Sequence, residues 1–278
     1  MPLYLCATPI GNLSDISARC LEILSSVDLI AAEDTRRTLT LLNHFNISKP
    51  LTSYFEHNKA QKGEYLVSLL KEGKSIALVS DAGTPAISDP GEDLVKLCIQ
   101  NGIRVESIPG PVACINALVL SGFSTQRFCF EGFLSMNKRS RKEHLESLKD
   151  ERRTMLFHEA PHKLKYTLND MIEYFGPNRR IALVRELTKI HEEVIHTTLQ
   201  GAIELYTEQS PKGEYVVVVE GLPDSEAKLK SQWWDNLDIC EHVSEYINQG
   251  FTDKEAIKKA ALDRQIPKRE VYNSYHKK

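Results

Sequence analysis

The residues best suited to chemistry in this chain sit where apolar runs end. Residues 75–91 read SIALVSDAGTPAISDPG. The run 76–79 is short, apolar and rich in β-branched residues, the mark of a strand buried on both faces. At Ser80 the pattern stops. Ser80, Asp81, Gly83 and Pro85 each have a reason to leave a strand: polar side chains that bond local backbone, a free φ, or a fixed φ without a donor. The loop offers a carboxylate and backbone groups but no Lys or Arg. It has neither GxxxxGKS/T nor GxGxxG, which disfavours a triphosphate cradle and a dinucleotide pyrophosphate. Such a loop suits a ligand with hydroxyls, an amine or a positive centre; taken alone it equally describes a long connection.

Other polar clusters follow apolar runs in the same way. Thr8-Pro9-Ile10-Gly11-Asn12 follows 3–7, Glu33-Asp34-Thr35-Arg36 follows 27–32, and Pro109-Gly110-Pro111 follows 104–108. In the second half Glu159-Ala160-Pro161-His162 follows 154–158, and Arg185-Glu186-Leu187-Thr188-Lys189 follows 181–184. Glu33-Asp34 reads either as charge complementing a helix dipole or as a polar cluster at a strand end. Small Ala113, Cys114 and Ala117 let their helix approach a sheet or a ligand closely. His57 reads as a solvated loop residue.

The elements that must position these clusters alternate. Asp89 as cap, Pro90 at the first helical position and Glu92 as the capping-box acid predict a helix start, and Gly102 its end. With the strands on either side this is a βαβ unit, and ligands of open parallel sheets sit outside strand carboxyl ends. Ser14 is the expected cap of a helix reaching residues 23–24. Strand 50–54 and helices 58–72 and 112–120 complete the first half. Ser121-Gly122-Phe123 reads as a joint. Strands are then expected at 128–133, 154–158, 181–184, 193–196 and 214–220, with helices 139–149, one through Leu164, Leu168 and Met171, and 199–208. The fold class is therefore α/β, with domains 1–121 and 122–221, a linker 222–230 and a small helical extension 231–278. In the extension, Thr252 and Glu255 form a capping box and Pro267 opens a last helix. From Lys258 onward seven Lys and Arg face two acids, so the short helices read as a helix-turn-helix-like module able to meet phosphates or as a bundle capping the second domain.

Length and composition bound the rest. The 278 residues exceed the usual single domain, and a net charge of −3 gives no global polyanion signal. Six cysteines stand apart, without CxxC or a Cys/His cluster, so buried reduced thiols are expected and no metal. The amino terminus MPLYLC does not read as a signal peptide, and no apolar run is long enough to span a bilayer. A cytoplasmic location is expected.

Seven strand-end segments now stand together: TPIGN (8–12), AEDTR (32–36), SDAGTPAISDPG (80–91), IPGP with NAL and SG (108–122), HEAPHK (158–163), RELTK with EE (185–193) and KGEYVVVV (212–219). The set resembles the tetrapyrrole-methylase-like family of S-adenosylmethionine-dependent methyltransferases. Within it, the match is to the branch that methylates the ribose 2′-oxygen of a decoding-centre cytidine of 16S rRNA. The resemblance covers about residues 1–221, and the tail is similar to that branch's helical extension. Val112 departs from it, since Ser or Thr often follows PGP or PG.

The resemblance implies two α/β domains with S-adenosylmethionine in the cleft between them, a homodimer, and 16S rRNA, within the 30S subunit, as partner. Carried over by position, the cofactor residues are Pro9, Gly11, Asp81, Gly83, Thr84, Ile87, Ala113, Cys114, Phe157 and His158. Among strand-end charges, Arg185 and Lys189 are expected to hold phosphate or the developing alkoxide, and Glu186 or Asp34 to accept the proton. An interdomain or dimer salt-bridge network would use the same residues. Arg139, Arg141, Lys142, Arg152, Arg153, Lys163 and Lys165 are the expected RNA-facing cations, with His162, Tyr166 and Phe133 as stacking platforms. The alternatives are a tetrapyrrole methylase and a non-catalytic RNA-binding ribosome-assembly factor.

Overall fold

A computed structural model of the chain describes residues 1–223, 233–234 and 236–276. The described chain falls into two compact units, Met1–Leu222 and Pro223–Lys278. Most of the expected linker, from residue 224 on, lies outside the described residues.

The first unit carries two five-stranded sheets. One is parallel, in the order β3-β2-β4-β1-β5: β1 Leu3–Cys6, β2 Leu29–Ala32, β3 Leu51–Ser53, β4 Ile76–Val79 and β5 Val105–Ile108. Its two faces are buried, which is why β4 is an unbroken apolar run. Helices α1 Ala18–Ser26, α2 Thr35–His44, α3 Lys59–Lys71 and α4 Gly91–Gln100 cover it. Helix α5, Ala113–Ser121, instead packs Cys114, Ala117 and Leu118 into a core with Leu156, Ala182, Val184, Val216 and Val218 of the other sheet. Its small residues make that close approach possible.

The second sheet runs β6-β7-β10-β8-β9: β6 Phe128–Phe133, β7 Thr154–Glu159, β8 Arg180–Arg185, β9 Glu193–Thr198 and β10 Tyr215–Val219. It is mixed. β6 pairs with β7 in parallel, while β10 lies antiparallel between β7 and β8. Helices α6 Lys138–Ser147, α7 Pro161–Phe175 and α8 Leu199–Glu208 accompany it. A bulge between Phe130 and Gly132 shifts the β6 register, so that Phe133 rather than Gly132 faces His158. The extra residue re-aims the strand end.

Two helix starts differ from expectation. Ser17, not Ser14, caps α1, because Asn12 first caps a 3-10 turn at Leu13–Asp15 that uses Ser14 N. Asp89 forms no capping box with Glu92. Its Oδ1 accepts from Ala86 N (3.0 Å) and Gly91 N (2.7 Å), and α4 begins at Gly91, after Pro90. That carboxylate closes a loop in which Ala86 and Ser88 hold positive φ (68° and 63°), conformations non-glycine residues keep only when tied down.

Among its described residues, the second unit has three helices: α9 Ile239–Asn248, α10 Asp253–Asp263 and α11 Lys268–His276. The Thr252–Glu255 capping box forms, and Val243, Ala256, Ile257, Ala260 and Val271 make its core.

Candidate active site

Three loops of the first half are bonded into one surface at the carboxyl ends of β1, β4 and β5. Thr8 and Gly83 exchange backbone hydrogen bonds (2.9 and 3.0 Å), and Gly83 holds φ at +83°. Thr84 Oγ1 donates to Pro111 O at 3.1 Å, and Ser80 Oγ donates to Gly83 O at 3.2 Å. The second sheet's loops reach this surface. Asn12 N donates to Thr188 Oγ1 at 3.1 Å, and a Cβ on Gly11 would come within 2.5 Å of Lys189 Cγ. Gly11 is thus required for the close approach of the two halves.

Between them lies a cavity of about 450 Å³. Ile10, Ala82 and Ala113 come from the first half; Phe133, His158, Val184, Leu187 and Val216 supply the facing apolar wall, with Glu159, Lys189 and Glu214 at its polar margin. His158 is wedged edge-to-face against Phe130 and Phe133, with centroids 5.1 and 5.3 Å away. Its Nε2 is buried without a hydrogen-bond partner among the described residues, and burial holds its pKa below the ordinary histidine value. A buried, unpartnered polar atom in a cavity wall is a ready contact for a polar ligand atom.

At the margin Lys189 Nζ donates to Glu186 Oε1 and Glu214 Oε2, both at 2.9 Å. Burial disfavours the Lys189 ammonium, but those two carboxylates outweigh it and raise the pKa. Glu186 also accepts from Glu214 N at 2.9 Å. That bond first, and Lys189 after it, lowers the Glu186 pKa. Glu186 has φ +50° and its side chain lies against Gly213, where any Cβ would collide with it. Arg185 Nε stands 3.2 Å from Glu193 Oε2 without the alignment of a hydrogen bond.

The sequence-predicted residues divide. Ala113, His158 and Lys189 line the large cavity. Pro9, Gly11 and Asp81 line a smaller one of about 290 Å³ with Arg37 and His44. Asp81 is already engaged: it accepts from Asp34 N (2.9 Å) and pairs with Arg37 (3.3 Å). Gly83 and Thr84 shape the loop. Ile87 is 39% exposed and lines neither cavity. Cys114 and Phe157 have their side chains in the apolar cores; strand alternation sends Phe157 to the face opposite His158. Asp34 caps α2 and pairs with Arg36, also on neither cavity. Glu33 is held above the ordinary carboxylate range by burial and then by Asp81 and Asp89. Glu214 and Tyr215 were missed as individual site residues; the charge placed just ahead of four valines was the available signal.

The expected cation cluster is largely neutralised. Arg139 pairs with Glu143, Arg141 with Asp170, Lys142 with Glu173 and Arg153 with Glu151. Lys163 and Lys165 make no ion pair among the described residues.

Two α/β sheets joined through α5, with strand ends from both lining one apolar cleft and no glycine-rich dinucleotide loop, define the class of two-lobed methylases. The chain belongs to the tetrapyrrole (corrin/porphyrin) methylase family, whose sequence model matches residues 2–203. It is 50% identical over 274 residues to the ribosomal RNA small subunit methyltransferase I of Bacillus subtilis (strain 168), covering 99% of this chain and 94% of that one. The like-named protein of Synechocystis sp. is 46% identical, covering 97% and 95%. Among solved structures, uroporphyrin-III-C-methyltransferase from Thermus thermophilus superposes with TM-score 0.56 at 18% identity, covering 83% of this chain and 99% of that one. Diphthine synthase does so with TM-score 0.61 at 15%, covering 80% and 90%. These two establish likeness of fold. No helix among the described residues is long and apolar enough to cross a membrane.

Proposed function

We propose that this protein transfers a methyl group from S-adenosylmethionine to the ribose 2′-oxygen of a cytidine in the decoding centre of 16S rRNA. The observation that carries the reading is the shared cavity, apolar on both walls and edged by a lysine between two carboxylates. The near-full-length likeness to rRNA small subunit methyltransferases supports the acceptor.

The residues present fit the cofactor. A cavity of about 450 Å³ is within the usual range for small-molecule sites. Ala82 and Ala113 leave room for a flat ring, Ile10 and Val216 give it apolar faces, and His158 Nε2 offers the unpartnered polar contact. When bound, the cofactor supplies a methyl group already activated on a sulfonium. The chain's own task is then to hold the acceptor in line and to manage one proton, and orientation alone is worth about 7–11 kcal/mol in well-aligned systems.

Lys189 is the group for the acceptor oxygen. It keeps its charge at neutral pH, lines the cavity and can stabilise the alkoxide as it develops. Glu186 is ionised and can take the proton, but its lowered pKa makes it a weak base; its larger effect is to hold the Lys189 ammonium in place. To Arg185, the preceding residue, we assign a backbone phosphate, which would compete with Glu193 for its guanidinium. Ile115 and Val119, 40% and 67% exposed one turn apart on α5, support a homodimer contact.

The test is labelled cofactor with small ribosomal subunits lacking the modification, followed by nucleoside analysis; 2′-O-methylcytidine is expected. Absence of that nucleoside, or label passing to a porphyrinoid acceptor instead, refutes the reading. So does calorimetry that finds no uptake of S-adenosylhomocysteine.

A further inference from the structure

We propose that a second cavity along α7 receives the unstacked base of a nucleotide adjoining the methyl acceptor. The inference rests on the rRNA reading above and assigns a new subsite to it. The cavity, about 230 Å³, is lined by Leu134, Met136, His162, Lys163, Tyr166 and Thr167. It shares Glu159 and His162 with the large cavity, so the two open side by side.

Its walls are fixed before any ligand arrives. Arg141 Nε donates to Asp170 on α7 at 2.6 Å, and Arg141 Nη1 donates to Ser135 O and Met136 O at 3.0 and 3.4 Å. The loop carrying Leu134 and Met136 is thereby pinned to the helix. The floor carboxylate, Glu159, is 4% exposed and already satisfied, accepting from Ala160 N at 2.9 Å and Thr167 Oγ1 at 2.5 Å. The cavity therefore presents no bare carboxylate: Leu134, Met136 and the Tyr166 ring give it apolar surface that suits a flat ring, and Lys163 is the unpaired charge in its lining among the described residues.

The rim supplies the complementary half. Met136 and Tyr166 are 70% and 71% exposed at this mouth, and Phe133, 55% exposed, stands at the mouth of the neighbouring cavity. His162 and Lys163 lie four and three residues before Tyr166 and so share its helix face. Lys163 and Lys165 are without ion-pair partners among the described residues, while Arg139, Arg141 and Lys142 are neutralised nearby. Exposed aromatic surface next to unpaired cations is the arrangement that binds single-stranded nucleic acid, the ring stacking on a base and the cations meeting its phosphates. An apolar peptide would leave those lysines unused.

The experiment compares Tyr166→Ala, Tyr166→Phe and Tyr166→Trp in the full chain, with unmodified small ribosomal subunits as acceptor. Tyr166→Ala should raise the KM for the particle about 5- to 150-fold, the usual loss for one stacked base, with S-adenosylhomocysteine affinity unchanged. Tyr166→Phe should restore the KM, and fluorescence of the new indole in Tyr166→Trp should be quenched on adding particles. A KM for Tyr166→Ala within twofold of wild type, or an indole that does not respond while methylation proceeds, overturns the subsite alone. Failure of the wild-type protein to methylate the particle overturns the parent reading, and this one with it.

Discussion

Lys189→Met separates the catalytic use of the ammonium from its structural use. Methionine keeps an unbranched stem, so the packing of the side chain against Gly11 is largely preserved. What disappears is the charge and its two 2.9 Å hydrogen bonds. The pair with Glu214 is worth little, because that carboxylate is 79% exposed and screened. The bond to Glu186 is better shielded, and Glu186 retains its bond from Glu214 N. Discounted for solvent, the two together contribute about 1 kcal/mol, a fall in Tm of roughly 2–4 °C. If the ammonium stabilises the developing alkoxide, its loss should lower the methyl-transfer rate about 10²–10³-fold, equivalent to roughly 2.7–4 kcal/mol. The catalytic effect is thus expected to exceed the structural one severalfold. Single-turnover transfer at saturating cofactor and particle reads the first, thermal unfolding the second, and calorimetry with S-adenosylhomocysteine should show unchanged affinity. A transfer rate within threefold of wild type would falsify the role given to Lys189.

Gly11→Ala should push the 187–189 turn away, because its Cβ would meet Lys189 Cγ at 2.5 Å, Thr188 Oγ1 at 2.7 Å and Leu187 O at 3.0 Å. A stability loss of about 1–3 kcal/mol and a greater loss of transfer are expected, and denaturant unfolding beside a transfer assay checks both. Between pH 7 and 5 the folded state should weaken. His158 and His242 both have pKa values lowered chiefly by burial, so the unfolded chain binds their protons more tightly, and stability falls as pH drops below about 6.5. His158→Gln should make that decline shallower in denaturant titrations at each pH; an unchanged slope would remove His158 from the account. Replacing Lys163 and Lys165 together by Gln should lower the salt slope of RNA binding by roughly one per side chain, and an unaltered slope would show that neither meets phosphate.

Much of the architecture was legible from local pattern. The apolar run 76–79, the helix Leu199–Glu208 and the Thr252–Glu255 capping box stand where periodicity and capping chemistry place them. The polar strand endings were visible too, since Gly, Pro and Asp have local reasons to interrupt a strand. Less legible was the use of each ending. Asp81 carries the carboxylate that a charged ligand would want, yet Arg37 and Asp34 N already occupy it. Phe157 and His158 are adjacent in sequence, but only one faces the cleft. The cations Arg139, Arg141 and Lys142 on α6 are neutralised by acids 4 to 31 residues away, whereas Lys163 and Lys165 on α7 are not, among the described residues.

The sequence by itself determined the alternating elements, the loop chemistry at their ends and, through seven ordered segments, the family. Only the tertiary structure decided that Lys189 sits between Glu186 and Glu214, that the bulge in β6 turns Phe133 onto His158, and that Gly11 closes against the 187–189 turn. The physical reason is range. Caps, turns and strand periods are set by neighbours a few residues apart, whereas a cleft is built from contacts across long stretches of chain, such as Asn12 with Thr188. Those contacts depend on register and on which face of each strand is buried, and both are settled only when the two sheets pack.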